Sequence, residues 1–205
     1  MHEKALSKEV ADFLPRFAKF PGFYLVGGTA LALQIGHRAS VDFDFFSYDE
    51  LPSNILQKTK RIFHDVPVTL TYRSPDQLNI LIGNIKTTFL HFPYPTVLPV
   101  IQYRDISLAS VSEIAAMKAF AMGKRLSYKD YIDWYFLLKE NHIRIDDILL
   151  LCKKKFGNDF NDRLFLGQLV SLDEVPTQKI DFLRDSVERE HMEKFFQQLV
   201  QTVGL

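Results

Sequence analysis

The chain has 205 residues, of which 47% are hydrophobic, enough for one packed domain or a core with a modest extension. Its 25 Lys and Arg residues balance its 25 Asp and Glu residues, so no net charge draws the whole protein to nucleic acid or to an acidic membrane. The single cysteine, Cys152, excludes an intramolecular disulfide framework, and no Cys or His cluster indicates zinc. No apolar run reaches the length of a bilayer, and we predict a cytoplasmic protein with no membrane partner.

The chain begins with an amphipathic helix pattern over residues 3–19, which ends at the turn Pro21-Gly22. The apolar residues 23–26 predict a first strand, which stops at Gly27-Gly28. Glycine permits a tight turn and a close approach of the backbone to a ligand. Thr29 is the predicted cap of the next helix. The backbone N–H groups at Gly28 and Thr29 then lie at a helix N-terminus, which favours phosphate.

The second predicted strand carries two acids on one face. Side chains alternate over residues 41–46, so Asp42 and Asp44 share one face and their apolar neighbours share the other. With Cα atoms about 6 to 7 Å apart, the two carboxylates repel each other and need a cation. Carboxylate oxygens with open positions for water suit Mg²⁺, or Mn²⁺. The glycine turn and the acid pair, one helix apart, therefore predict a site for metal-bound phosphate rather than a plain turn beside a solvated sheet edge.

Two polar residues in the loop before the acids, Arg38 and Ser40, are further candidates for nucleotide binding. The planar guanidinium of Arg38 suits a clamp on a triphosphate. It suits equally a bond to Asp42 or to a backbone carbonyl that ties down the loop. Both interpretations stay open.

A helix over residues 48–63 and three strands, at 66–72, Gln77–Ile82 and 85–92, complete the predicted sheet of about five strands. Eighteen phenylalanines predict an aromatic core. Three prolines at 93, 95 and 99 then indicate a linker, and the pattern after Ser110 is almost entirely helical. We therefore predict a core at residues 1–105 and a helical region at 106–205 packed on it.

The helical region starts with a helix that Ser112 is predicted to cap and Gly123 to end. Lys118 lies among its small and apolar residues, so its amine either reaches back to solvent or points at a functional site. Later helices are predicted at residues 145–156 and 159–169, and a last one from Pro176 to about Val200.

A second helix of this region, at residues 130–139, carries Asp130 and Asp133 on one face of an otherwise apolar segment. Burial of an unpaired carboxylate is costly, so Asp133 requires a cation. Lys118, Lys129, Arg125 or a metal are the candidates. A plain salt bridge between two helices is the alternative without a function.

Gly27-Gly28 followed by Asp42-Phe43-Asp44 resembles the signature of DNA polymerase β-like nucleotidyltransferases. Two longer blocks together are similar to the AbiEii/AbiGii-type nucleotidyltransferase toxin family. They are residues 27–46, GGTALALQIGHRASVDFDFF, and residues 115–138, AAMKAFAMGKRLSYKDYIDWYFLL. The resemblance implies an α+β fold, with a polymerase β-like core followed by an all-helical region.

The resemblance also implies an activity, the magnesium-dependent transfer of a nucleoside monophosphate from an NTP to an acceptor. The catalytic residues that it implies are Asp42, Asp44, Lys118 and Asp130, with Asp42 and Asp44 as the metal ligands. The residues that it implies for nucleotide binding are Gly27, Gly28, Thr29, Arg38 and Ser40. Asp133 is expected to give structural support.

One departure from the superfamily concerns the third carboxylate, which usually comes from a later strand of the sheet. The corresponding residues here, 87–92 (TTFLHF), contain no acid. Their one titratable side chain, His91, is a poor ligand for a hard cation. The departure puts a three-carboxylate, two-metal site in doubt.

The acceptor that the family implies is a nucleic acid, with tRNA expected, and the protein would be the toxin of a toxin-antitoxin or phage-defence system with a possible antitoxin partner. A chain without net charge must concentrate its positive side chains to bind RNA. One candidate group is Lys58, Lys60 and Arg61. The group that we predict to bind the acceptor is Lys124, Arg125 and Lys129, because the proposed active-site residues flank it in sequence.

Two other functions fit the same sequence. A degenerate nucleotidyltransferase fold could bind a nucleotide or a protein without chemistry, which the missing strand carboxylate favours. An antibiotic-type nucleotidyltransferase would act on a small molecule and would need an acidic acceptor pocket, yet the sequence has no acidic cluster beyond the residues already assigned.

Overall fold

The structure is a computed structural model that describes residues 1–122, 124–125 and 127–203. The chain divides into two compact units, Met1–Ser110 and Val111–Leu205. The predicted domains, 1–105 and 106–205 with the helical region packed on the core, stay a prediction. Among the described residues, no helix is both long and apolar enough to cross a membrane.

The first unit, all of whose residues are described, contains one mixed sheet. Its seven strands are β1 (Tyr24–Val26), β2 (Phe43–Ser47), β3 (Val68–Arg73), β4 (Gln77–Ile82), β5 (Ile85–His91), β6 (Ile101–Tyr103) and β7 (Ile106–Leu108). They follow the order β3-β4-β5-β2-β1-β7-β6, in which β2 lies between antiparallel β1 and parallel β5. The predicted fold class is confirmed, although the sheet is larger than predicted. The two extra strands, β6 and β7, have three residues each, too few to show an alternation in sequence.

Three α-helices accompany the sheet in this fully described unit, α1 (Lys8–Phe13), α2 (Gly27–Ile35) and α3 (Ile55–Ile62). The continuous helix predicted over residues 3–19 is wrong, because α1 lies between two 3₁₀ segments. Ser7 Oγ accepts from the backbone N–H of Val10 and starts α1, whereas Pro15, which has no N–H, lies in the following 3₁₀ segment. The helix predicted over 48–63 is also too long, because its first part, which contains Pro52, forms turns and loop.

An aromatic cluster forms the core under the sheet, as predicted. The ring of Phe17 lies 4.8 Å from that of Phe43, 4.4 Å from that of Phe45 and 6.2 Å from that of Phe89, measured between centroids. All four rings are buried. Phe43 and Phe45 therefore define the core face of β2, and the opposite face of this strand carries its acid.

The described helices of the second unit are α4 (Val111–Met122), α5 (Tyr128–Lys139), α6 (Ile145–Phe156), α7 (Asp162–Leu169) and α8 (Arg189–Thr202). Helix α4 begins at Val111, so Ser112 lies in its first turn and does not cap it. Gly123, the predicted end of this helix, lies outside the described residues. Helix α7 begins three residues later than predicted, where Asn161 Oδ1 caps it by accepting from Leu164 N at 2.9 Å.

The last helix is shorter than predicted. It begins at Arg189 rather than after Pro176, and most of the residues between are exposed, so their apolar side chains are not buried as one helix face. The guanidinium of Arg189 donates to the backbone carbonyl groups of Leu172 and Val175, which fixes the start of α8.

A buried ion pair joins α4 to α6. Lys155 Nζ lies 2.9 Å from Glu113 Oε2, and neither side chain is exposed to solvent. Cys152 on α6 is buried, and burial raises the pKa of its thiol to about 12. The interior of this unit thus combines apolar packing with ion pairs that have little access to water.

Candidate functional site

Strand β2 carries its acid on the face opposite the core. Phe43, Phe45 and Ser47 are buried, whereas Asp44 is half-buried. Asp42 comes directly before the strand and is half-buried as well. The alternation predicted over residues 41–46 therefore holds from Phe43 onward, whereas Val41, predicted to lie on the core face, precedes the strand and is 49% exposed. Both carboxylates retain access to solvent, which a site that receives a ligand requires.

The N-terminus of α2 lies directly against this acid strand. Val26 at the end of β1 pairs with Asp44, and α2 starts at the next residue, Gly27. Gly27 has a φ of +69°, and a Cβ atom there would lie 2.5 Å from Asp44 Oδ2. A Cβ atom on Gly28 would lie 2.5 Å from Arg38 Nη2. Any larger residue at either position would collide with a side chain of the site.

The prediction that Thr29 caps α2 is wrong, because the N-cap lies three residues earlier, at Val26, and the helix starts at Gly27. Gly27, Gly28 and Thr29 instead form the first turn, whose N–H groups have no partner within the helix. The Thr29 hydroxyl is hydrogen-bonded to the backbone carbonyl of Asp42 and lies 2.9 Å from Ser40 Oγ. Thr29 and Ser40 therefore position the loop that leads into the acids.

Arg38 is buried in the same loop. Its Nη1 donates to the carbonyl of Ala39 at 3.1 Å, and its Nη2 lies beside Gly28, as described above. The backbone contact is one of the two roles left open from the sequence. The guanidinium also lies next to the first turn of α2, close to where a phosphate would bind, so its part in nucleotide binding stays a prediction.

No carboxylate of β5 lies beside the acid strand. The residue that pairs with Asp44 in β5 is Thr88, and the neighbouring positions on that face, Lys86 and Leu90, are not acidic. His91 pairs with Ser47, and by the alternation of the strand it belongs to the core face. It is therefore not placed beside the acid pair.

The carboxylates present suit a magnesium ion that also binds phosphate and water. Among the described residues there is no group of three or more His, Cys, Asp or Glu residues that could hold a metal by itself. Magnesium is commonly held by one or two carboxylates, with substrate phosphates and water completing its octahedron. Asp42 and Asp44, the second of which lies against Gly27, are the residues that would hold such an ion.

The second unit places Lys118 between two carboxylates. Lys118 Nζ lies 2.6 Å from Asp130 Oδ1 and 2.6 Å from Asp133 Oδ2, which joins α4 to α5. All three residues are buried, with 8%, 5% and 0% exposure in that order. The amine therefore does not reach back to bulk solvent, and the cation that Asp133 requires is Lys118.

This Lys118 cluster has one negative charge in excess, because two carboxylates surround one ammonium. Asp130 Oδ2 is buried and accepts no hydrogen bond from a described residue. This oxygen has little contact with solvent, so a group that bonds to it must reach into the interior of the unit. The salt bridge and a functional role are compatible here.

The predicted acceptor-binding residues, Lys124, Arg125 and Lys129, are all exposed. Lys124 Nζ lies 4.0 Å from the centroid of the Phe120 ring. In the competing group, Lys60 and Arg61 are exposed, while Lys58 is half-buried and lies over the Phe20 ring at 5.0 Å. Binding of an acceptor by either group stays a prediction.

The fold is that of nucleotidyltransferases. MenT4, a nucleotidyltransferase toxin from Mycobacterium tuberculosis H37Rv, superposes with a TM-score of 0.62 and 16% identity, covering 94% of this chain and 81% of that chain. JHP933 from Helicobacter pylori superposes with a TM-score of 0.55 and 18% identity, covering 97% and 93%. At these identities the likeness establishes the fold alone.

The sequence establishes the family. The model of the family described as nucleotidyl transferase AbiEii toxin, type IV toxin-antitoxin system, matches residues 10–103 and 77–205. An uncharacterized protein of Aquifex aeolicus (strain VF5), aq_aa25, is 37% identical over 142 residues, which are 68% of this chain and 69% of that protein. The chain belongs to the AbiEii nucleotidyltransferase toxin family.

Proposed function

We propose that the chain transfers a nucleoside monophosphate from an NTP to an RNA acceptor, with tRNA as the expected class, in a reaction that requires Mg²⁺ or Mn²⁺. The observation that carries the proposal is the contact of the α2 N-terminus with the acid strand, where Gly27 leaves room for Asp44. Hydrogen-bond donors that suit a phosphate therefore lie next to a carboxylate that suits a metal ion, within the first unit.

The two halves of this site have complementary chemistry. The N–H groups of Gly27, Gly28 and Thr29 and the dipole of α2 attract phosphate oxygens. Asp42 and Asp44 would hold the metal, which would offset the negative charge of the phosphates during transfer. Without the metal the two carboxylates would repel the charge of a triphosphate, so the site as a whole would bind a metal-free NTP poorly.

In the transfer step an acceptor hydroxyl oxygen bonds to the α-phosphorus, the bond from that phosphorus to the bridging oxygen breaks, and pyrophosphate leaves. The family resemblance assigns Lys118 and Asp130 to this reaction. Asp130, whose Oδ2 accepts no hydrogen bond from a described residue, would take the hydroxyl proton, and Lys118, which pairs with Oδ1, would hold that carboxylate in position.

The test is to incubate the purified protein with Mg²⁺, each labelled NTP in turn and total tRNA, and to follow label in RNA. We expect transfer that EDTA abolishes and that the double variant Asp42→Ala/Asp44→Ala lacks. Glu50→Ala, which removes an exposed carboxylate just after β2, is the matched control and should retain full activity. NTP binding without transfer to any acceptor, or transfer by the double variant, would refute the proposal.

A binding module without chemistry is the second candidate, because β5 has Thr88 beside Asp44 and no acid. It predicts NTP binding that does not depend on a divalent metal. Calorimetric titration with Mg²⁺, followed by NTP with and without the metal, distinguishes the two functions. As a family member the protein is also expected to have an antitoxin partner, which co-expression with the neighbouring genes would test.

A further inference from the structure

The face of the sheet that carries Asp44 continues across the neighbouring strands as a polar row. Asp44 pairs with Thr88 of β5, Thr88 pairs with Asn79 of β4, and Asn79 pairs with Tyr72 of β3. Paired residues of neighbouring strands project from the same face of a sheet. With strands about 4.8 Å apart, this row extends about 14 Å from Asp44 to Tyr72 on the edge strand.

A bulge in β3 turns Tyr72 onto this face. Leu70 pairs with Ile80, which is buried on the core face, whereas Tyr72 pairs with Asn79. One extra residue, Thr71, therefore stands between two adjacent pairs, and without the bulge Leu70 and Tyr72 would share a face. Tyr72 is 51% exposed, so its ring is accessible at the outer end of the row.

The chemistry of this face suits a nucleotide chain. The amide oxygen of Asn79 accepts from Gln77 Nε2 at 2.9 Å, which leaves the NH₂ group of Asn79 to donate to the edge of a base. Lys86 is exposed and lies on the same face, two residues before Thr88 in β5. Strands β3, β4 and β5, which are described in full, contain no Asp or Glu. Beyond Asp44, no carboxylate of these strands therefore repels a phosphate.

The position of the phosphate site relative to β2 sets the side from which an acceptor arrives. The N-terminus of α2 follows β1, and β1 and β5 flank β2 on opposite sides. In phosphoryl transfer the attacking and leaving oxygens lie roughly in line, on opposite sides of the phosphorus. Pyrophosphate held at α2 therefore leaves on the β1 side, and the attacking hydroxyl arrives over β5, where Thr88 pairs with Asp44.

We infer that the polar row binds the unpaired end of the RNA acceptor. The reacting hydroxyl lies over Thr88, and a base farther along the chain stacks on the ring of Tyr72 and accepts from the NH₂ group of Asn79. The inference rests on the proposed function, because the transfer reaction sets the direction of the acceptor. It adds a requirement for single-stranded RNA with bases, which positive charge alone does not impose.

The experiment measures binding of two labelled oligomers by fluorescence anisotropy, a short single-stranded RNA and an abasic ribose-phosphate chain of equal length. The full chain should bind the RNA about tenfold more tightly than the abasic chain, because a base stacks on the aromatic ring. Tyr72→Leu should remove most of this ratio, whereas Tyr72→Phe, which keeps the ring, should retain it. Asn79→Leu removes the NH₂ donor without adding charge and should reduce the ratio about threefold.

Leu70→Ala is the matched control. Leu70 is 46% exposed on the same strand, but it lies on the opposite face, so its truncation should leave the ratio unchanged. Calorimetric titration of Tyr72→Leu with NTP and Mg²⁺ should give the affinity of the original protein. Melting temperatures of the variants show whether a loss of binding is a loss of fold.

The inference would be overturned by equal binding of the two oligomers, by absence of binding, or by an unchanged ratio in Tyr72→Leu. An equal loss in Leu70→Ala would also overturn it, as would a loss of NTP binding in Tyr72→Leu, which would place the base of the NTP on this ring. RNA binding that depends on Tyr72 without transfer from any NTP would overturn the proposed function and leave the row as an RNA site. Transfer to RNA together with binding that does not depend on Tyr72 would overturn the inference alone.

Discussion

The two units hold their acidic side chains by different means. In the sheet unit the backbone places the acids, because the alternation of β2 sets the direction of Asp44 and a bond from Thr29 to the carbonyl of Asp42 sets the loop. In the helical unit charge pairing places them, with Lys118 within 2.6 Å of both carboxylates. A side chain placed by the backbone can be removed at little cost to the fold. A side chain held by a buried ion pair cannot be removed without a large loss of stability. The following predictions test this difference.

The largest effect is expected from Lys118→Met, which leaves Asp130 and Asp133 as two adjacent buried carboxylates. Removal of one partner of a buried ion pair typically costs about 3 to 5 kcal/mol. Urea unfolding monitored by circular dichroism measures the loss. Lys129→Met, at an exposed position of the same unit, should change stability by less than about 0.5 kcal/mol. A Lys118→Met protein as stable as the control would show that the cluster does not carry its charges in the folded state.

Asp42→Ala should separate activity from stability. The hydrogen bond of Thr29 reaches the Asp42 carbonyl, which the substitution retains, so we expect an unfolding free energy within about 1 kcal/mol of the original. Transfer activity should fall by at least about 100-fold, because loss of even an indirect metal partner reaches that range. A variant that loses stability and activity in parallel would contradict the view that the backbone places this acid.

Gly27→Ala should reveal how closely the α2 N-terminus approaches the acids. A left-handed backbone costs an alanine about 1 to 2 kcal/mol, and the added Cβ would also lie 2.5 Å from Asp44 Oδ2. Gly22→Ala is the matched control, since Gly22 also has a positive φ, +84°, and an added Cβ there would lie 3.9 Å from its nearest neighbour, Asp49 Oδ2, an ordinary contact. Two results would report the crowding. Gly27→Ala should lower the free energy of unfolding, measured with urea, by more than the control does, and only Gly27→Ala should lose Mg²⁺ binding. Equal behaviour of the two variants would mean that Asp44 moves aside freely.

Lys124→Ala/Arg125→Ala should weaken transfer to RNA and reduce the salt dependence of RNA binding by about one to two phosphate contacts. NTP binding should be unaffected. The double variant Lys153→Ala/Lys154→Ala removes two exposed lysines of α6 and serves as control. An equal loss of NTP binding would mean that Lys124 and Arg125 bind the triphosphate. If neither RNA binding nor NTP binding is lost, the two residues are solvated side chains of a loop without a role in binding.

The smallest effect is expected at the surface of the sheet unit, where Arg16 bonds to Asp65 and lowers the pKa of that carboxyl from 3.8 to about 2. Because the folded pKa is the lower one, the pair stabilises the fold above pH 3.8, and this contribution is lost as the pH falls toward 2. In Asp65→Asn the free energy of unfolding should therefore fall slightly less steeply as the pH is lowered from 3.8 toward 2, and added salt should have the same effect on the original protein. An unchanged acid limb would mean that the contact is absent in solution.

Sequence patterns located most elements of this protein but not their ends. The helix predicted over 3–19 is interrupted near Ser7 and Pro15, and the helix predicted from Pro176 begins only at Arg189. Apolar spacing shows which face is buried, whereas the ends depend on caps and on contacts distant in sequence, such as that of Arg189 with Val175. Strands of three residues, such as β6 and β7, have no pattern to recognise.

The sequence by itself determined the family, the fold class and the pair of acids at the start of β2, Asp42 and Asp44, because the spacing of glycine and aspartate and the alternation of a strand are local properties of the chain. Only the tertiary structure decided which cation meets Asp133, that Gly27 begins α2 and leaves space for Asp44, and that Lys124 lies over an aromatic ring. These are contacts between elements, and three cations in the sequence were compatible with Asp133 until packing placed Lys118 within reach.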